Sequence, residues 1–182
     1  MRLRGWISLG LALAGLLLAV APGLATGQSD STSVPSIELN GSIDPATERW
    51  IGSALDQAAD DDAPLAIIRI DTPGGLEDSM RAIVKDIIDA PMPVVVYVYP
   101  NGARAASAGA FITEAADVAA MAPQTNIGSA SAVTETGGDI EGTLGRKIEN
   151  DAAAFIRALA GTHGRNGSLA ETMVTDLSLI HI

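Results

Sequence analysis

Two stretches of this sequence, Leu65 to Ile70 (LAIIRI) and Val94 to Tyr99 (VVVYVY), are almost unbroken runs of aliphatic and aromatic residues. Runs of that length read as strands covered on both faces, the signature of a parallel sheet. Parallel strands cannot be joined by tight hairpins, so helical crossovers must lie between them. The flanking sequence supplies them. After the first run, Asp71-Thr72-Pro73-Gly74-Gly75 marks a sharp turn, and a helix is expected from about Leu76 to Asp89. Met80, Ile83, Val84, Ile87 and Ile88 recur there at helical spacing, and Pro91 and Pro93 end the pattern.

The same alternation extends both ways. Ser36 to Leu39 reads as a short strand closed by Asn40-Gly41. Asp44-Pro45 is a helix start, with Asp as N-cap and Pro at the first helical position. That helix runs to about Ala59, with Trp50, Ile51, Ala54, Leu55 and Ala58 on the inner face. Beyond the second run, Pro100-Asn101-Gly102 is a loop, Ala105 to Ala116 a helix of small residues, and Val118 to Met121 a short strand. Gly137-Gly138 reads as a mobile segment, and Gly145 to Ala160 as a long helix with Ile148, Ala152, Phe155, Ile156 and Leu159 inward. Repeated β-then-α units define an α/β domain. With aromatics at only 3%, its core must be aliphatic.

The termini carry separate messages. Arg2 and Arg4 precede an apolar run from about Trp6 to Ala21, and small residues follow at Gly23 and Ala25. Residues 1–25 are expected to be an export signal cut after Ala25, or an uncleaved membrane anchor. Residues 26–33 read as a polar linker, and the folded domain is expected over residues 34–176. The last six residues, Leu177 to Ile182, correspond to the translated transposon-end adapter of a common sequencing-library method. They are therefore expected to be foreign, the domain incomplete, and the natural chain longer.

A net charge of −11 argues against nucleic-acid binding, which needs clustered Lys and Arg. The absence of Cys removes disulfides, thiolate-bound zinc and a thiol nucleophile together. The acidic run Asp60-Asp61-Asp62 reads as a solvated loop, not a cation site, because no glycine-shaped ligand loop accompanies it.

The chemistry concentrates in two turns. In Gly102-Ala103-Arg104-Ala105-Ala106-Ser107-Ala108-Gly109, one serine stands among small residues where a strand gives way to a helix. Small neighbours admit a substrate carbonyl, and a helix N-terminus aims free N–H groups at developing negative charge. Taken alone, such a serine more readily reads as a helix cap or a tight-packing position. Gly74-Gly75 can direct backbone N–H groups into a cleft, so Gly75 and Ala108 are candidate oxyanion donors; the same glycines also suit an ordinary turn. Histidine is scarce. His163 lies in a polar stretch that reads as a surface loop, and His181 is in the suspect tail. Between Ser107 and Gly161 the cationic side chains are Arg146, Lys147 and Arg157, and arginine does not surrender its proton. Lys147 is the candidate base, against the alternative of a solvated charge on a first helical turn. Lys85 reads as a surface residue. A free lysine amine titrates near ~10.4, whereas a base acting at neutrality needs ~7–8, a shift that an apolar cleft supplies.

Three blocks of the sequence settle this balance: Asp71-Thr72-Pro73-Gly74-Gly75-Leu76, the serine segment from Gly102 to Gly109, and Ala120-Met121-Ala122-Pro123-Gln124-Thr125-Asn126-Ile127-Gly128. Together they resemble successive signatures of the NfeD family of membrane-associated serine proteases. The resemblance runs from about Val34 to Val174 and implies a ClpP/crotonase-like superhelix of repeated β and α units. It implies Ser107 as nucleophile, Lys147 as base, Gly75 and Ala108 as oxyanion donors, and Gly74 and Leu76 at the substrate strand. It implies no metal or cofactor. It further implies a stomatin-like membrane protein as substrate or partner, membrane association on the extracytoplasmic side, and a tendency to form homodimers. After Gly128 the match loosens, because Ser129-Ala130-Ser131-Ala132 stands where relatives often carry His and Pro. Two rival readings share the fold: a crotonase-type acyl-CoA enzyme, and a non-catalytic scaffold for a stomatin-like partner.

Overall fold

The computed structural model describes residues 33–131, 138 and 140–180. The expected signal or anchor and linker, up to residue 32, lie outside the described residues, as do Gly137 and the final two positions.

Four parallel strands form the main sheet, in the order β1 (Ser36–Asn40), β2 (Ala66–Asp71), β3 (Val94–Val98) and β5 (Val118–Met121). Two helices cross between the first three strands, α1 (Pro45–Asp60) and α2 (Glu77–Asp89). Asp44 caps α1, its carboxylate accepting from the N–H groups of Ala46 and Thr47 at 2.9 Å each. A second, smaller sheet joins β4 (Arg104–Ala106), β6 (Asn126–Gly128) and β7 (Leu179–Ile180), with β4 parallel to β6 and β7 antiparallel to it. Helix α3 (Ala108–Ala115) follows β4, and α4 (Gly142–Thr162) and α5 (Gly167–Thr175) pack against each other at the end of the described chain. The α/β class expected from the sequence is therefore the observed one.

The core is aliphatic, as the composition required. Ile37, Leu39, Ile68, Ile70, Val94, Val96 and Val98 point to one face of the main sheet and are buried against Ile51, Leu55, Ile83, Val84 and Ile112. The opposite face is only half covered, contrary to the expectation of burial on both sides. Glu38, Arg69 and Tyr97 share one cross-strand row there, and Arg69 pairs with Glu38 and lies over Tyr99.

Several local expectations need correction. Trp50 is 56% exposed, because its indole N–H reaches sideways to the carbonyl of Glu38 at 3.2 Å. Ile88 is 57% exposed, one residue past the buried Ile87. The helix expected from Ala105 begins at Ala108, since Arg104–Ala106 pairs with β6 instead. Strand β6 and helix α5 were not expected at all. His163 is no free loop residue: it caps the C-terminus of α4 with its side chain largely covered, 4.0 Å from Asp117. Lys85 is exposed, as expected, and pairs with Asp89. Asp60, Asp61 and Asp62 are exposed around the end of α1.

Helix α3 ends on a half-buried arginine. Arg165 donates to the carbonyls of Glu114 (2.8 Å) and Ala116 (2.5 Å), groups left without intrahelical partners. Its contact with the Glu114 carboxylate is longer, 3.5 Å, and one carboxylate oxygen has no hydrogen bond. Burial accordingly pushes the Glu114 carboxyl above its ordinary range, with Arg165 opposing. Arg165→Met strips the carbonyls and leaves a buried carboxylate unpaired, an expected loss of about 3 kcal/mol at neutral pH. A carboxyl raised in the folded state stabilises at low pH, and that contribution is lost as pH rises through the folded value. The deficit of Arg165→Met should therefore shrink as pH falls, which urea denaturation between acidic and neutral pH will measure.

Candidate active site

The turn after β2 is built around Thr72. Its buried hydroxyl donates to the carbonyl of Gly41 at 2.6 Å and accepts from the N–H of Gly74 at 3.0 Å. Gly74 has φ +109°, and a Cβ there would stand 2.6 Å from the Cβ of Ser107. No side chain fits, so the Gly74 backbone lies directly against the serine. Gly75 forms a parallel bridge with Ile43: the N–H of Ile43 donates to Gly74 O at 3.0 Å, and that of Leu76 to Ile43 O at 2.9 Å. Strand geometry then turns the N–H of Gly75 away from Ile43. Among the described residues it has no acceptor.

Ser107 sits between β4 and α3 with φ 51° and ψ −118°, a conformation that costs a non-glycine residue about 1–3 kcal/mol. Both sheets hold it there. Its own N–H donates to Gly128 O at 2.9 Å, while the N–H of Ala106 donates to Thr72 O at 3.1 Å. Its hydroxyl has no hydrogen-bond partner among the described residues. Ala108 opens α3, so its N–H has no intrahelical acceptor either.

These groups share one cavity of about 310 Å³. Gly75, Leu76, Ser107 and Ala108 form one wall; Met80, Phe111, Ala130, Ile140, Ile148 and Ala152 make the rest largely apolar. Glu77, Arg81 and Ser131 supply the remaining polar atoms. A free hydroxyl and two unclaimed N–H groups around an apolar cavity are the groups an acyl transfer requires. Gly74 backs the serine, and the exposed Leu76 forms the rim.

The structure does not bring Lys147 into this cavity. Its side chain is exposed on α4, whereas the next residue, Ile148, lines the wall. Lys147 is one turn before Asp151, which is bonded to the wall residue Arg81, and residues four apart share a helix stripe. His163 lines a different cavity, with Ile88 and Leu159. Among the described residues no three acidic or histidine side chains are gathered to hold a metal ion.

Sequence reasoning missed Arg81. The guanidinium is fixed by Glu77 (2.8 Å) and Asp151 and lies 4.6 Å from the ring centroid of Phe155. The Glu77–Arg81 spacing of one helical turn was the available signal. Gly128, whose carbonyl holds the serine N–H, was recognised only as part of the third block.

The parallel sheet, its crossover helices and the serine at a strand-to-helix turn define the class: an α/β fold of the ClpP type. ClpP1 from Listeria monocytogenes superimposes with a TM-score of 0.62 at 17% identity, covering 81% of this chain and 82% of that one. The chain belongs to the NfeD1b N-terminal domain family, whose profile matches residues 33–180. It is 40% identical over 146 residues to the membrane-bound protease PH1510 of Pyrococcus horikoshii, covering 78% of this chain and 33% of that protein. It is 32% identical over 127 residues to the membrane protein NfeD1b of Bacillus subtilis, covering 69% and 28%. Among solved structures, a serine-to-alanine mutant of the 1510-N membrane-bound stomatin-specific protease matches with a TM-score of 0.75 at 37% identity, over 81% of this chain and 72% of that one. A lysine-to-alanine mutant of 1510-N in complex with a substrate peptide matches with a TM-score of 0.75 at 35% identity, over 82% and 69%. The chain spans a third or less of the length of the curated relatives it matches.

Proposed function

We propose that this domain is a serine endopeptidase acting through a Ser107–Lys147 dyad, on apolar segments of stomatin-like membrane proteins at the extracytoplasmic face of a membrane. The observation that carries the reading is the placement of Ser107: a free hydroxyl at positive φ, on a helix N-terminus, in an apolar cavity beside the N–H of Gly75. The relatives support the residue pair. The serine and lysine replaced in the 1510-N mutants are separated in sequence by nearly the same distance as Ser107 and Lys147.

In this mechanism the neutral amine of Lys147 takes the proton of Ser107, whose oxygen attacks a peptide carbonyl held as an extended strand. The N–H groups of Gly75 and Ala108 stabilise the oxyanion. The lysine returns the proton to the leaving amine, and water hydrolyses the acyl-enzyme. Lys147 must swing inward from its exposed position on α4 for this step, along its flexible four-carbon stem. Leu76 and Gly74 flank the substrate strand, and no metal or cofactor takes part. Membrane association, through residues 1–25 and through parts of the longer relatives, and homodimer formation belong to the same proposal. Among the described residues no helix is long and apolar enough to cross a membrane.

A fluorophosphonate probe tests the reading. Wild type is expected to be labelled at Ser107, Ser107→Ala not at all, and Lys147→Ala at least tenfold more slowly. Labelling that ignores Lys147 would remove it as base. An unlabelled wild type that still binds a stomatin-like partner would favour the scaffold, and turnover of acyl-CoA unaffected by Ser107→Ala would favour the crotonase-type enzyme.

A further inference from the structure

Arg81 occupies an unusual position for a cation. It lies in the wall of a largely apolar cavity, bonded at once to Glu77 on its own helix and to Asp151 on α4. Phe155 lies beneath its guanidinium and stacks on Phe111 of α3, ring centroids 5.8 Å apart. One side chain thus ties α2 to α4, and through Phe155 to the helix that carries Ser107.

The consequence concerns Lys147. Lysine and aspartate four residues apart on a helix are neighbours able to pair. Such a pair holds the ammonium charged and useless as a base. Here Asp151 is bonded elsewhere, and Lys147 has no ion pair among the described residues. Among the described residues, the other charged groups around Lys147 leave Asp151 as the decisive one. On α4, Arg146 is a like charge and Glu149 lies on another stripe, while Glu141 stands at the N-cap, beyond the first turn. From α2 come Glu77, engaged by Arg81, and Arg81 itself. Helix α3 presents Phe111, and the acid of α5, Glu171, is engaged by Arg157 further along α4.

We infer that Arg81 is a positioning residue for the dyad: by holding Asp151 on the α2 side, it keeps that carboxylate from capturing Lys147 and so leaves the lysine free to act as base. Its own positive charge works in the same direction. This inference rests on the endopeptidase reading above.

The test is a double-mutant cycle read from the pH dependence of fluorophosphonate labelling. The labelling rate of wild type rises with pH as the base loses its proton. In Arg81→Met, Asp151 is released to pair with Lys147, so this acid limb should move up by about one pH unit, a roughly tenfold loss of rate below the limb. Asp151→Asn alone should displace the limb much less. Arg81→Met combined with Asp151→Asn should bring it back most of the way, and Arg81→Lys should preserve part of the effect. A purely structural tether would give a different pattern: a lower melting temperature and a uniformly slower rate, with the limb unmoved and no rescue by Asp151→Asn. That pattern overturns the inference and leaves the dyad intact. If Arg81→Met does not fold, an unmoved limb in Arg81→Lys, together with a downward shift in Asp151→Asn as large as one unit, overturns it equally, since Asp151 would then already act on Lys147. A wild type without labelling at Ser107 sinks the endopeptidase reading and this inference with it.

Discussion

Ser107→Gly is expected to abolish labelling and peptide cleavage while raising stability by about 1 kcal/mol. The two effects have separate causes. The hydroxyl is the proposed attacking group, and glycine offers no substitute. The backbone at this position has φ 51°, a strained conformation for any residue with a Cβ, with a cost of about 1–3 kcal/mol. Glycine adopts it freely but loses more chain entropy on folding, about 0.5–1 kcal/mol. The difference favours the variant. Ser107→Ala separates the two causes, because it keeps the Cβ and the strain while removing the hydroxyl. Thermal melts of the three proteins should rank glycine above serine and alanine. A glycine variant melting below wild type would show that the positive φ carries no penalty here.

Gly75→Ala is expected to fail in both respects. A Cβ on Gly75 would stand 2.0 Å from the carbonyl oxygen of Ile43 and 2.6 Å from its nitrogen. Backbone, unlike a side-chain end, cannot swing aside. The bridge to Ile43 must open, giving up its two hydrogen bonds, each worth about 1 kcal/mol net, on top of about 1–3 kcal/mol of overpacking. A loss of about 3–5 kcal/mol follows, readable from the urea midpoint. The displaced N–H also leaves the oxyanion position proposed for it, and loss of one such donor lowers kcat by about 10²–10³. Even where low temperature keeps the variant folded, its labelling should fall by that factor. Full labelling of folded Gly75→Ala would remove Gly75 from the oxyanion hole.

How far the fold was legible followed from the range of the interactions that make each element. Strands β2 and β3, and helices α1 and α2, are written in their own apolar pattern and caps, and they fall within a residue or two of expectation. Strand β4 is not. Arg104-Ala105-Ala106 is helix-prone by composition, and only its pairing with β6 makes it a strand. Helix α5 begins with Gly and Ser, which hide it; its one clear local signal is Asn166, whose side chain accepts from the N–H of Leu169. At the site, the residues bound to turns were legible. Gly74, Gly75, Leu76, Ser107 and Ala108 lie on turns that glycine and serine mark locally, while their roles came from the family resemblance. Lys147 was named by elimination and resemblance, and the face that a helix residue presents depends on how the whole helix is rotated. Arg81 offered only its spacing from Glu77, for a related reason: its other partner, Asp151, is seventy positions away.

The serine's neighbourhood hangs from two frameworks. One peptide N–H is anchored to the exit of the four-stranded sheet, at Thr72, and the very next one to the three-stranded sheet, at Gly128. Alignment of the Ser107 hydroxyl is thus a property of the seam, not of either framework alone. A slip between them by a fraction of an ångström would carry the hydroxyl off the line of attack proposed for it while every proposed reacting group remained present, so on that reading this architecture can fall silent without losing a single part.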